Sequence, residues 1–227
     1  MKERWNVDLH AHTLWSKDCL MPFDRIIPVC EQRGIDRIAI TDHNTADGAL
    51  AMQKIAPELV IVGEEIMTTQ GEILAYFVQE GIPADLSPDE TIRRLRDQGA
   101  VISVSHPFDQ LRKGAWREED LLKIIDRVDA IEIFNARCMI PSDNDKAIAF
   151  AQRHNLIGTA GSDAHTTSEY GRAMTRMQPF EGPADFLASL RQAEYIKHLS
   201  PFYVHFGSKA AKWAKKLGLR PRQWEGG

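Results

Sequence analysis

Asp8-Leu9-His10-Ala11-His12 places two imidazoles two residues apart, and in an extended segment such residues project to the same side, so both can reach one metal ion. Taken alone, the pair reads equally well as two hydrogen-bonded structural histidines. Similar groups recur along the chain: Asp42 with His43, Glu64 with Glu65, then His106, Asn135, and Asp163 with His165. Imidazole mixed with carboxylate, without thiolate, suits Zn, Mn or Fe(II), and several carboxylates point to more than one ion with a bridging ligand. Such a centre makes hydroxide available near neutral pH and neutralises the oxygens of a phosphate ester during in-line attack. No protein nucleophile is then required. Cys19 and Ser105 lie near these groups in sequence, but neither sits in a nucleophile–base motif, and Ser105 reads as strand-end packing.

Each group follows a run that reads as a strand. His10 and His12 follow 5–9, Asp42 and His43 follow 37–41, and Glu64 and Glu65 follow 59–62. His106 follows 101–105, Asn135 follows 130–134, and Asp163 and His165 follow 157–160; a further strand is expected at 173–177. Helical patterns fall at 23–33, 46–55, 88–98, 118–127, 143–154 and 183–193, with Pro28 marking a kink in the first. This alternation predicts an α/β fold with a mainly parallel sheet. In a parallel barrel the strand C-termini open on one face, which gathers ligands that are distant in sequence. Ser87-Pro88 with Glu90 forms a capping box with proline at the first helical position, and Gly34 and Gly99 end helices. The run 66–78 reads as a β-hairpin turning near Gln70-Gly71, inserted into the β-α series.

The 227 residues, 43% hydrophobic and 26% charged, are expected to form one domain over 1–227 with no linker or repeat. A formal net charge of −4 argues against a duplex nucleic acid partner, whereas a small anionic substrate remains open because local cations decide that. No apolar run reaches the roughly 18 residues of a membrane span, and Met1-Lys2-Glu3-Arg4-Trp5 lacks a signal-peptide pattern, so a cytoplasmic location is expected. Three cysteines without a CxxC pair suggest neither a disulfide framework nor a thiolate zinc site.

Four motifs together carry a family resemblance: Asp8-Leu9-His10-Ala11-His12-Thr13, Ile40-Thr41-Asp42-His43-Asn44, Ser105-His106-Pro107 and Gly161-Ser162-Asp163-Ala164-His165. In this order they resemble the PHP (polymerase and histidinol phosphatase) domain. The resemblance implies a distorted seven-stranded (β/α)7 TIM-like barrel, phosphoesterase chemistry and two or three divalent ions (Zn, Mn or Fe). His10, His12, Glu65 and Asp163 would hold one ion, with Glu65 bridging to a second held by His106. Asp18, His43 and His165 would hold a third. Asp163, His165, Glu65 and His43 would form the catalytic centre. Glu72 stands where many members carry histidine, so it is either a ligand of the second ion or a solvated turn residue.

Arg137, Arg172, Asn135 and Lys17 are further candidates for binding a phosphorylated substrate, the arginines through bidentate contacts. Salt bridges at the barrel rim are the alternative for both arginines, solvation for Lys17, and hydrogen bonding to a ligand for Asn135. Asp42 reads as an acceptor that orients a ligating imidazole, and Glu64 as facing away from Glu65. His154, at a helix C-terminus, and His198 and His205 read as structural. A basic amphipathic helix near 205–219 is expected to dock its apolar side on the domain. Hydrolysis of a small phosphate ester (nucleotide, other monoester or diester) is the favoured function, and histidinol phosphate is an alternative substrate. A non-catalytic metal-binding regulatory module is disfavoured because the ligands are retained. An amidohydrolase is disfavoured because Glu65 stands where that class needs a bridging lysine. Oligomeric state is not legible.

Overall fold

The computed structural model describes residues 2–219 and 221. One nine-stranded sheet runs in the order β7-β6-β5-β4-β3-β2-β1-β8-β9. Its strands are β1 (Trp5–Ala11), β2 (Arg37–Ile40), β3 (Val60–Met67), β4 (Glu72–Tyr76), β5 (Val101–Val104), β6 (Ala130–Asn135), β7 (Ile157–Gly161), β8 (Ala173–Met177) and β9 (Glu194–Lys197). Past the end of β7 the chain returns to β1: the Asp163 amide donates to the His10 carbonyl at 2.6 Å, and the His12 amide to the Ala164 carbonyl at 3.0 Å. These bonds nearly close a barrel of seven strands, β1 to β7.

Helices α1 (Phe23–Arg33), α2 (Asp47–Ile55), α3 (Pro88–Asp97), α4 (Glu118–Leu121), α5 (Pro141–Arg153), α6 (Pro183–Leu190) and α7 (Val204–Lys216) complete the fold. In α1, Phe23, Ile26 and Cys30 are buried at helical spacing, and Gly34 ends the helix at φ 64°, the left-handed conformation glycine adopts without strain. The helix runs through Pro28. Ser87 caps α3 by accepting the Glu90 amide at 3.2 Å.

The barrel class agrees with expectation, but its strand membership differs. The hairpin is no excursion: β4 pairs antiparallel with both β3 and β5 and is itself a barrel strand. The strand at 173–177 instead runs antiparallel to β1, outside the closed set, where it pairs with β9, which the pattern does not predict. The helix expected over 118–127 divides into α4 and a short 3-10 turn at Ile125–Arg127.

Alternation along the strands positions the site. Leu74 and Tyr76 of β4, Ile61 of β3 and Val101 of β5 belong to one buried apolar cluster, together with Phe180 and Phe186. Further along at the same parity come Glu72, two residues from Leu74, and Glu65 and Ser105, four residues from Ile61 and Val101, which are also buried. The apolar interior thus gives way to polar groups at the C-terminal ends of the parallel strands, the end at which antiparallel β4 begins. The register of β1 against β2 shifts between Asp8 and Ala11, so the histidine pair occupies an irregular segment. All three cysteines are free and buried, and among the described residues no helix is long and apolar enough to cross a membrane.

Candidate metal centre

Nine side chains from six strand ends and the loop after β1 meet in one cluster. His12 Nε2 lies 3.1 Å from Asp163 Oδ1 and 3.5 Å from Glu65 Oε2, and His10 Nε2 lies 3.4 Å from Glu65 Oε1. Glu65 extends between groups, with Oε1 2.9 Å from His106 Nε2 and Oε2 2.9 Å from His43 Nδ1. On the outer side Asp18 Oδ1 is 3.3 Å from His165 Nε2 and 3.5 Å from His43 Nε2. Glu72 closes the set, 3.5 Å from His106 Nε2 and 3.9 Å from His43 Nδ1. It is only 5% exposed, which removes the reading of a solvated turn residue.

Within this cluster, three triads place ligand atoms within 4.8 Å of one another: His10, His12 and Asp163; His12, His43 and His165; and His43, Glu65 and Glu72. Asp18 Oδ1, Glu65 Oε2 and Asp163 Oδ1 are buried without a hydrogen-bond partner. Buried carboxylate oxygens left unpaired are costly, and a divalent cation is the partner that fits three of them facing imidazole nitrogens. The residues present therefore fit divalent metal ions.

Hydrogen bonds behind the cluster set the tautomers. Asp42 accepts the Ser16 hydroxyl at 2.7 Å, so the Ser16 oxygen is free to accept His12 Nδ1–H at 2.8 Å and the His43 amide at 3.1 Å. This leaves the Nε2 lone pair of His12 directed at the cluster. Asp42 thus orients an imidazole through Ser16. Likewise Glu132 Oε1 lies 3.0 Å from His10 Nδ1 and, through Oε2, accepts the His106 amide at 2.8 Å. Asp163 itself has φ 52°, a left-handed conformation that aspartate tolerates better than most residues.

Charge coupling is strong. Burial disfavours charge on His43, yet the carboxylates of Glu65 and Asp18 push its pKa up to about 10. Burial likewise opposes the ionised form of Asp163, but the Arg112 guanidinium and His10 hold its carboxyl well below the usual range. His12 is pushed down by burial and by His165 and His43. Glu72 is pushed up by burial and by the Glu65 carboxylate.

The four substrate-binding candidates separate. Asn135 hydrogen-bonds a candidate ligand: its Nδ2 donates to Asp163 Oδ2 and Glu132 Oε2, both at 3.2 Å. Arg137 is buried, with Nη1 2.6 Å from His165 Nδ1, Nη2 donating to Ser208 Oγ at 2.7 Å and Nε 3.0 Å from Glu169. Lys17 is exposed at the cavity lip. Arg172 is not brought to the cluster; it donates to the Leu199 carbonyl through Nε at 3.0 Å and Nη2 at 2.8 Å. Glu64 faces the other side of β3, where it accepts the Ile82 amide at 2.8 Å.

Two residues escape the strand-end logic. Arg112 reaches back from the loop after β5, placing Nη1 2.6 Å from Asp163 Oδ2 and Nε 3.0 Å from Asp109. Glu132 lies inside β6, before its end. Its parity with Ala130, an inner-cluster residue, is the sequence signal that could have found it. The cluster opens into a cavity of about 660 Å³ whose walls include Asp18, His43, Glu72, Arg112, Arg137 and His165.

Comparison with known proteins agrees with this architecture. Residues 141–195 match the PHP-associated family. An uncharacterised protein of Methanocaldococcus jannaschii is 34% identical over 195 residues, which cover 82% of this chain and 78% of that protein. A phosphoribosyl 1,2-cyclic phosphate 1,2-diphosphodiesterase of Eggerthella lenta is 34% identical over 86 residues, covering 34% of this chain and 32% of that enzyme. The fold is similar to that of a two-domain protein from Bacteroides vulgatus containing a predicted PHP-like metal-dependent phosphoesterase. That similarity has a TM-score of 0.70 at 21% identity and covers 86% of this chain and 65% of that one.

Proposed function

The chain belongs to the PHP-domain family, and we propose that it is a metal-dependent hydrolase of a small phosphate ester, either a monoester or a diester. The observation that carries this reading is the set of unpaired, buried carboxylate oxygens of Asp18, Glu65 and Asp163, facing five histidines at the foot of an open cavity. His10, His12, Glu65 and Asp163 would hold one ion; Glu65 and His106, with Glu72, a second; and Asp18, His43 and His165 a third. When bound, zinc, manganese or iron supplies Lewis acidity toward the phosphate oxygens and an attacking water.

The chain's own residues do the rest. Ser16 and Glu132 hold the imidazoles of His12 and His10 with Nε2 turned inward. Arg112, on the cavity wall, fixes Asp163 and presents a guanidinium to an incoming phosphate. Arg137 steadies His165 from behind. Lys17 adds a cation at the lip. Barrel and α7 act as one unit in this reading.

Hydrolysis of an aryl phosphate, a bis-aryl phosphate and a panel of sugar phosphates and nucleotides, with Mn or Zn loaded, tests it. Turnover is expected, and it should vanish in an Asp163→Ala, His165→Ala double variant. No turnover by the loaded protein, or full activity in the double variant, removes the reading.

A further inference from the structure

Helix α7 lies across the cavity mouth and is tied to the loops that carry the ligands. Ser208 accepts Arg137 Nη2 at 2.7 Å, and Lys215 Nζ donates to the carbonyls of Leu14 and Ser16, between His12 and Asp18. Phe202, in the turn before the helix, and Phe206, in its first turn, line the cavity and remain 65% and 58% exposed. Their rings meet edge to face with centroids 5.7 Å apart. Across the mouth Leu111 and Met139 are also exposed, at 57% and 41%. Large apolar groups grouped at the lip of a charged cleft are costly to leave wet and mark a recognition surface.

Cations accompany them. Lys209 and Lys212 face the same cavity, and among the described residues neither has a carboxylate partner. Lys209 Nζ sits 6.0 Å from the Phe206 ring centroid, so a planar group and an anion held here would be neighbours. A sugar phosphate would occupy the floor and leave the aromatic pair in water. A cavity of about 660 Å³ has room for more.

We propose that α7 selects the leaving group. Phe206 takes a planar heterocycle by stacking, with Phe202 edge-on beside it, while Lys209 and Lys212 take a second anionic group, so the preferred substrate is a nucleotide bearing more than one phosphate. This rests on the hydrolase reading above, which concerns only the floor of the cavity.

The probes are ribose 5-phosphate, AMP and ADP, used with the Mn-loaded full chain for steady-state kinetics and for calorimetric binding. Stacking of one base contributes enough that Phe206→Ala is expected to raise KM for AMP and ADP about tenfold while moving ribose 5-phosphate by less than about twofold. Phe206→Trp, which keeps an aromatic face, should retain AMP affinity. Lys209→Ala combined with Lys212→Ala should weaken ADP more than AMP. Equal KM shifts for all three probes in Phe206→Ala, or no shift at all, would overturn the proposal; the second result would fit a face covered by another protein. If none of the probes turns over, the hydrolase reading is decided separately by the wider panel above. Calorimetry then still decides: AMP binding about tenfold weaker in Phe206→Ala supports the proposal, and unchanged binding overturns it.

Discussion

Arg112 Nη1 lies 2.6 Å from Asp163 Oδ2, while the other oxygen of the same carboxylate lies 3.1 Å from His12 Nε2. One carboxylate therefore faces a guanidinium on one side and the ligand cluster on the other. Arg112 comes from a loop and Asp163 from a residue held at positive φ, so the contact joins two segments without regular structure. Arg112→Ala is expected to lower kcat/KM about 100-fold, since it removes both the clamp on Asp163 and a cation facing the phosphate. Arg112→Lys should recover part of the loss but not the paired geometry with Asp109. Wild-type kinetics in Arg112→Ala would show that the contact only packs the loop.

Ser16 makes a second prediction. Its hydroxyl links Asp42 to His12 and to the His43 amide, although it ligates nothing itself. Removing such a supporting group costs roughly 10- to 100-fold in metal affinity. Ser16→Ala should therefore release metal at a lower chelator concentration than wild type, with a nearly unchanged circular dichroism spectrum. Equal retention of metal by both proteins would mean that ring packing alone orients His12.

How much of this is legible in the sequence depends on where each group sits along a strand. His12, Glu65, His106 and Asp163 can be placed because a parallel barrel brings strand C-termini to one face whatever the loop lengths. Glu72 and β4 are harder. A hairpin signal reveals the turn at Gln70-Gly71 but not that its return strand enters the barrel, because pairing partners are chosen by closure of the whole sheet. Arg112 is not legible: a loop guanidinium reaches its partner through a tertiary path that periodicity does not encode. Arg172 shows the converse. Its position soon after His165 suggests proximity, yet the chain turns there and the side chain binds Leu199.

Gly161 lies against His10, and an added Cβ would collide with the His10 side chain and backbone. Overpacking of this kind typically costs about 1–3 kcal/mol, so Gly161→Ala should lower stability by that amount. Because the displaced group is an imidazole of the proposed metal site, metal content should fall as well. Thermal unfolding together with metal analysis checks both, and an unchanged metal content would show that the strain is relieved away from His10.

Glu72 adds a carboxylate beside Glu65, in a site that already concentrates negative charge. If it ligates, Glu72→Gln should lower the metal content by about one ion per chain while the others stay bound. Glu72→His should restore that ion, since imidazole reaches the same space. Identical stoichiometry in wild type and Glu72→Gln would leave Glu72 as a hydrogen-bonding wall of the cavity.

Glu64, behind the cluster, provides a pH signature. Burial pushes its carboxyl up to about 8 from an ordinary 4.5, opposed by the Ile82 amide and aided by Asp47. Between those values the folded protein keeps a proton that the unfolded chain releases. Stability must therefore fall as pH rises through this window, and the loss is complete above about 8. Glu64→Gln mimics the protonated acid at every pH and keeps an acceptor for Ile82. A tenfold difference in proton affinity between the folded and unfolded states corresponds to about 1.4 kcal/mol, so the variant should gain on wild type by a few kcal/mol between about pH 5 and pH 9. Denaturant unfolding of both proteins across that range measures the gap, and titrations common to both cancel in the difference. Parallel curves would mean that Glu64 is ionised in the folded protein.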